Sequence, residues 1–207
     1  KDEEFKVFAE PAKDSNSRVV ALKIPGGNSL SRGQIDDYTN FVTKLGAKGL
    51  AYIKVNDKSD IKNGLQSPIL KFLKNETISS LISDLDLEND DLLFFGAGKK
   101  SVVNLSMSSL IKKIGEDLSL YQMKWAPCWV VNFPMFERNT DGDLTSLHHP
   151  FTLPDCSSSD LKASPEKSLA HAYDVVLNGY EIGGGSLRVF DTEMQKTIFE
   201  ILKITKE

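Results

Sequence analysis

Cysteine is scarce in this chain of 207 residues: there are two, Cys128 and Cys156, with no CxxC pair or zinc-like spacing between them. That spacing excludes a disulfide framework and a thiolate metal cluster, and it fits a reducing compartment. Cys128 lies in an apolar run and is expected in a core, whereas Cys156 lies in a polar loop. Histidine is also rare, at three residues, so any imidazole chemistry falls to His148, His149 or His171. Positive charge is not in excess. The net charge of −4 gives no overall basic balance toward nucleic acid, although a local patch depends on distribution rather than on the total. No apolar run approaches the roughly 20 residues that span a bilayer, and the opening KDEEFKVFAE is not a signal peptide. The chain starts without Met and stops inside a helical pattern, MQKTIFEILKITKE, so both ends read as cut points in a longer protein.

What is present is an ordinary soluble composition, 40% hydrophobic and 26% charged, enough for one large domain or two small ones. Residues 5–8 and 18–25 read as two strands. PGGNSLSRGQ breaks the chain, and Ser31 with Gln34 has capping-box spacing for a helix. Ile35, Tyr38, Phe41, Val42 and Leu45 continue that helix to a C′ stop at Gly46. A strand is expected over 49–55 and helical pieces near 68–74 and 78–85. LLFF at 92–95 reads as a buried strand, and Val103, Met107, Leu110, Ile111 and Ile114 mark an amphipathic helix. The order β-β-α-β-α-β-α predicts an α+β domain over 1–121, with three helices on one face of a small sheet.

The pattern changes over 122–207. KWAPCWVVNFPMF is β-rich, with Pro134 implying a bulge or an edge. Asp141-Gly142 signals a hairpin turn, with LTSLHHPF as the returning strand. Residues 153–164 read as a polar loop. Ser164-Pro165 opens a predicted helix with Leu169, Ala172, Tyr173 and Val176 as its buried stripe. Asn178-Gly179 turns into another strand, and Asp191 caps a last helix carrying Met194, Ile198, Ile201 and Leu202. This part reads as too small and too open-edged to be a complete domain.

Three stretches offer chemistry. FFGAGKK, 94–100, is strand, glycine turn and helix, an arrangement that can hold a phosphate. It lacks the GxxxxGK[ST] spacing, so it reads as a tight connection with solvated lysines. In SLHHPFT, adjacent histidines on a strand point to opposite faces, so at most one should line a given pocket and a two-histidine metal site is not expected. One of them facing an anionic ligand and a purely structural histidine are equal readings. His171 is expected on the outer side of the predicted helix.

NGYEIGGGSLRVF, 178–190, carries the most information. Glycine in a strand marks a bulge or the close approach of a ligand or backbone. Gly183, Gly184 and Gly185 leave a floor without side chains. Glu181 can take a metal ion or hydroxyl at one end, and Arg188 can clamp a carboxylate at the other. A flexible bulge with a surface ion pair is the equal alternative. Strict alternation sends Glu181 and Arg188 to opposite faces. If both serve one site, a bulge or strong twist at the glycines must break it.

Taken together, these stretches resemble the bacterial-type aspartyl-tRNA synthetases, over essentially the whole chain. FAEPAKDSNSRVVALKIPGG, LSRGQIDDYTNFV, GAKGLAYIKVN and DLLFFGAG resemble the inserted GAD domain. WAPCWVVNFPMFE, LHHPFT, AYDVVLNGYEIGGGSLR and MQKTIFEILKI resemble the class II catalytic core that resumes after it, an antiparallel sheet.

The resemblance implies a ligase of the cytoplasm, a homodimer with no membrane association. It joins L-aspartate to ATP as aspartyl-adenylate and then passes the aspartyl group to tRNA(Asp). It implies that Arg188 and His148 bind aspartate, with His149 in support. Glu181 binds ATP through Mg²⁺, and Gly183, Gly184 and Gly185 lie beneath the adenylate. Class II motifs 1, 2 and 3 and the anticodon-binding barrel have no counterpart in this sequence. The chain by itself is therefore expected to be inactive and to hold no cofactor. Asn132 stands where the family pattern has Asp. The alternative is a non-catalytic tRNA- or protein-binding module of the type found in a tRNA-dependent amidotransferase subunit, where GAD-like domains also occur. A generic nucleotide-binding protein, resting on glycine turns alone, is weaker.

Overall fold

The computed structural model describes residues 4–205. They form two compact units that divide between Tyr121 and Gln122, and the fold is α+β.

The first unit begins with α1 (Lys6–Lys13), where a strand is expected. The alternation of FKVF misleads here. Phe5 and Phe8 stack edge to face at 4.8 Å, Phe5 meets Phe72 and Phe8 meets Phe95, and these contacts outweigh local strand preference. β1 (Ser17–Ile24) follows. α2 (Arg32–Lys44) starts on the capping box: the Ser31 hydroxyl accepts from the Gln34 N–H, and the Gln34 side chain accepts from the Ser31 N–H. It ends in a Schellman motif. Gly46 at φ +94 donates to the Thr43 carbonyl, and Ala47 donates to that of Val42. β2 (Ala51–Val55), the short β3 (Leu65–Gln66), α3 (Asn75–Asp84), β4 (Leu92–Lys99) and α4 (Lys100–Asp117) complete the unit.

Its sheet is antiparallel throughout, in the order β1-β4-β2-β3. The helices cover both faces rather than one. Leu92 and Phe94 point into a core with α2 and α4, through Ile35, Tyr38, Val42, Val103, Met107, Leu110 and Ile114. Leu93 and Phe95 point into a second core with Phe8 of α1 and Ile78 of α3. A strand buried on both sides reads as continuously apolar, as LLFF does.

FFGAGKK contains no turn. β4 runs to Lys99 and α4 starts at Lys100. Gly96 lies under α4, where a Cβ would come within 2.8 Å of Met107, and Gly98 sits at φ +143. These glycines serve packing and backbone direction, so the phosphate reading falls.

The second unit holds β5 (Pro127–Pro134), the β6–β7 hairpin (Phe136–Arg138 and Leu144–Ser146), α5 (Ser158–Ala163), β8 (Leu169–Leu177), β9 (Tyr180–Ser186) and α6 (Thr192–Ile201). β5, β8 and β9 make an antiparallel sheet in that order. Pro134 ends edge strand β5, whose register shifts around Asn132, held at φ +59. Asparagine tolerates that left-handed conformation better than most residues.

Three expectations fail here. The loop 153–164 contains α5, because Ser157 caps it on the Asp160 N–H and buries Leu161. The helix expected over 165–176 is a short 3₁₀ turn, Pro165–Lys167, followed by strand β8. Ala170 and Ala172 are buried with period two, while Leu169 and Tyr173 of the supposed stripe are exposed. His171 is therefore on a strand, 3.3 Å from Asp155. Cys128 is exposed, not in a core, because it sits on edge strand β5 away from the small core of Met135, Phe136, Leu161, Ala170, Ala172, Met194 and Ile198. Among the described residues no helix is long and apolar enough to cross a membrane.

Candidate functional site

The site grows from the β8–β9 hairpin. Asn178 and Gly179 both have positive φ, at +52 and +82, as a tight type I′ turn requires. The Asn178 amide also ties down the approach to β5, accepting from the Ala126 N–H and donating to the Lys124 carbonyl. Two residues beyond the turn the pairing slips. Val176 pairs with Glu181, but Val175 pairs with Gly183, so Ile182 is an extra residue bulged out of the ladder.

That bulge reverses the alternation. Glu181 moves to the face of Asp174 and Gly184, the face that Ser186 and Arg188 also share. The break expected at the glycines thus lies at Ile182, immediately before them.

The three glycines have different reasons. A Cβ on Gly184 would overlap the Asp174 carboxylate, and one on Gly185 would come within 2.7 Å of the Tyr173 hydroxyl. Gly183 has nothing within 4 Å of its Cβ direction. Gly184 and Gly185 line the cleft, and Gly183 does not.

The cleft encloses about 240 Å³ and brings His148, His149, Glu181 and Arg188 together with Asp174 and Ser186. Both histidines reach it, against the expectation of one, because β7 ends at Ser146 and they lie on the bend beyond it. His148 sits edge-on to Phe133, with ring centroids 4.8 Å apart. The histidine segment is pinned by a wedge. Leu153 donates to the Leu187 carbonyl and accepts from the His171 N–H, while Leu187 donates to the His171 carbonyl.

His149 Nδ1 lies 3.2 Å from the Phe151 N–H nitrogen and 3.1 Å from Arg188 Nη1. Both partners can only donate, so Nδ1 carries the lone pair and the ring proton sits on Nε2. Burial, then the Arg188 charge, then His148 hold the His149 pKa below its ordinary value, which agrees with a neutral ring. Arg188 Nη1 also donates to Ser186 Oγ at 2.8 Å.

Asp174 and Glu181 have no hydrogen-bond or ion-pair partner among the described residues. The cleft therefore presents two unneutralised carboxylates at one end and a guanidinium at the other. Among the described residues, groups of three or more His, Cys, Asp or Glu able to hold a metal are absent. Two carboxylates suit Mg²⁺ only when phosphate oxygens complete its shell.

Sequence reasoning missed Asp174 and Ser186. The available signal was a lone carboxylate between Tyr173 and Val175, next to an Asn-Gly turn, and it was lost in the helical misreading. Residues 8–107 match the family model of the GAD domain, so the first unit contains a GAD domain, a domain of class II aminoacyl-tRNA synthetases and amidotransferase-type proteins.

Proposed function

We propose that this chain is part of an aspartate–tRNA ligase of the bacterial type, which activates L-aspartate with ATP and transfers it to tRNA(Asp). The observation that carries this reading is the bulge at Ile182, which sets Glu181 and Arg188 on one face across Gly184 and Gly185. Arg188 holds the side-chain carboxylate of aspartate, and His148 and His149 close that end. Glu181, joined by Asp174, faces the ATP, where Mg²⁺ would neutralise phosphate charge. The residues present fit that group, since the donors are oxygens on one side of a cleft with a flat floor.

Positioning and charge neutralisation supply most of such catalysis. The chain by itself carries no counterpart of the arginine that grips the α-phosphate. Loss of such a group costs several kcal/mol of transition-state stabilisation, so exchange by the chain alone is expected to be undetectable.

A second reading is compatible with the same GAD match: a tRNA- or protein-contact module of the amidotransferase type. Aspartate-dependent ATP–pyrophosphate exchange separates the two. It is run on the longer ligase, on its Arg188→Ala variant and on this chain. Exchange in the ligase, lost on Arg188→Ala, supports the synthetase. A folded longer protein without exchange points to the contact module.

A further inference from the structure

Arginine offers a carboxylate two bidentate edges, one between its two terminal nitrogens and one between Nε and Nη2. At Arg188 the protein has already used one nitrogen. Nη1 carries two hydrogens; one is directed to His149 Nδ1 at 3.1 Å and the other to Ser186 Oγ at 2.8 Å. Both acceptors are themselves held. The Phe151 N–H donates to the same Nδ1 at 3.2 Å, closing a turn of the kind an Asx side chain makes. Thr152 Oγ1 donates to Ser186 Oγ at 3.4 Å, and Thr152 is bridged to Arg188 through the backbone. Among the described residues no acceptor reaches Nε or Nη2.

We infer that His149, together with Ser186, is a positioning residue that occupies both Nη1 hydrogens of Arg188 and so makes the Nε/Nη2 edge the one that receives a carboxylate. This rests on the reading of Arg188 as a carboxylate anchor. His149 acts through Nδ1 alone, and its Nε2–H remains a separate donor. With the guanidinium plane fixed from behind, an incoming carboxylate meets one preset pair of hydrogens. Little rotamer freedom is then lost on binding.

The chemistry separates this role from simple packing. Asparagine places its carbonyl oxygen where Nδ1 lies and can make the same turn. Glutamine places its amide where Nε2 lies and cannot reach both donors. The test uses the full chain with L-aspartate as the probe. Long-range ¹H–¹⁵N spectra of His149 in the ligand-free chain are expected to show a bare Nδ1 and a protonated Nε2. A proton on Nδ1 overturns the inference.

Calorimetry with L-aspartate is expected to show His149→Asn within about threefold of wild type and His149→Gln weakened about tenfold, the scale of one charge-assisted hydrogen bond. Arg188→Ala should abolish binding. Equal affinities in the Asn and Gln variants, with Arg188→Ala still inactive, overturn the positioning role and leave the carboxylate anchor standing. Binding indifferent to Arg188→Ala, or absent from the wild type, removes the anchor and the inference with it.

Discussion

The two units use their sheets in opposite ways. In the first, β4 gives one pair of side chains to each of two cores, and Leu92, Leu93, Phe94 and Phe95 are at most 4% exposed. In the second, Trp129, Val131 and Tyr173 are 66%, 54% and 43% exposed on one face. The other face divides between a small core under Ala170 and Ala172 and the cleft beside Asp174. Carboxylates follow the same division. Asp91, 3% exposed, accepts from the N–H groups of Gly26 and Glu88 and pairs with Lys23. Asp174 and Glu181 have no such partners. Burial uses polar groups up, and a cleft can keep them available, so the candidate site lies in the unit with the smaller core.

The largest test of this contrast adds one residue. Inserting one residue between Val175 and Val176, opposite Ile182, gives the bulged residue a partner, restores regular pairing and sends Glu181 to the face opposite Arg188. On the proposed reading, a ligase containing this chain with that insertion should fold and lose aspartate-dependent exchange by at least about a hundredfold, the scale of misplacing a positioned group. Retained exchange would break the link between the bulge and the site.

Next in size is the packing of the first unit. Phe94→Ala empties a fully buried position against Tyr38 and should cost about 3–5 kcal/mol in urea denaturation. Ile182→Ala, at a residue 62% exposed, should stay within about 0.5 kcal/mol.

A smaller effect distinguishes the glycines. Gly184→Ala should displace the Asp174 carboxylate and destabilise by about 1 kcal/mol, whereas Gly183→Ala should be near neutral. Equal effects in thermal melts would mean that the glycines share a single backbone role.

The smallest is a pH slope. The folded His149 pKa lies below 6.5, so on acidification the unfolded chain takes up a proton first. Stability from this residue is therefore full above about pH 6.5 and is lost as pH falls through the interval beneath. Denaturation midpoints at about pH 7.5 and about pH 5.5 should differ more in the wild type than in His149→Asn.

Local signals were readable where they act locally. The Ser31–Gln34 box, the Gly46 stop, the Asn178-Gly179 turn and the Asp191 cap each satisfy their own backbone groups within a few residues. The failures needed partners far away. Leu169, Ala172, Tyr173 and Val176 have helical spacing by coincidence, and only pairing with β5 and β9 makes them a strand. Residues 5–8 become helical through Phe72 and Phe95. At the site, the residue types were legible in HHPFT and EIGGGSLR, and so was the need for a break in alternation. The gathering of both histidines and Asp174 was not, because it depends on where β7 stops and on which face β8 turns inward.

The wedge at Leu153 has a consequence for the order of assembly. Its two hydrogen bonds require His171 and Leu187 to be neighbours already, and those two meet only when β8 and β9 have zipped from their turn. A hairpin closes on the microsecond scale, whereas the histidine segment must return from a more distant part of the chain. His148 and His149 are therefore expected to reach the cleft after Glu181 and Arg188 have been sorted onto one face. In hydrogen exchange, the amides of Leu153 and His171 should open together and before that of Leu187, and the histidine end of the cleft should be the last part to form and the first to be lost.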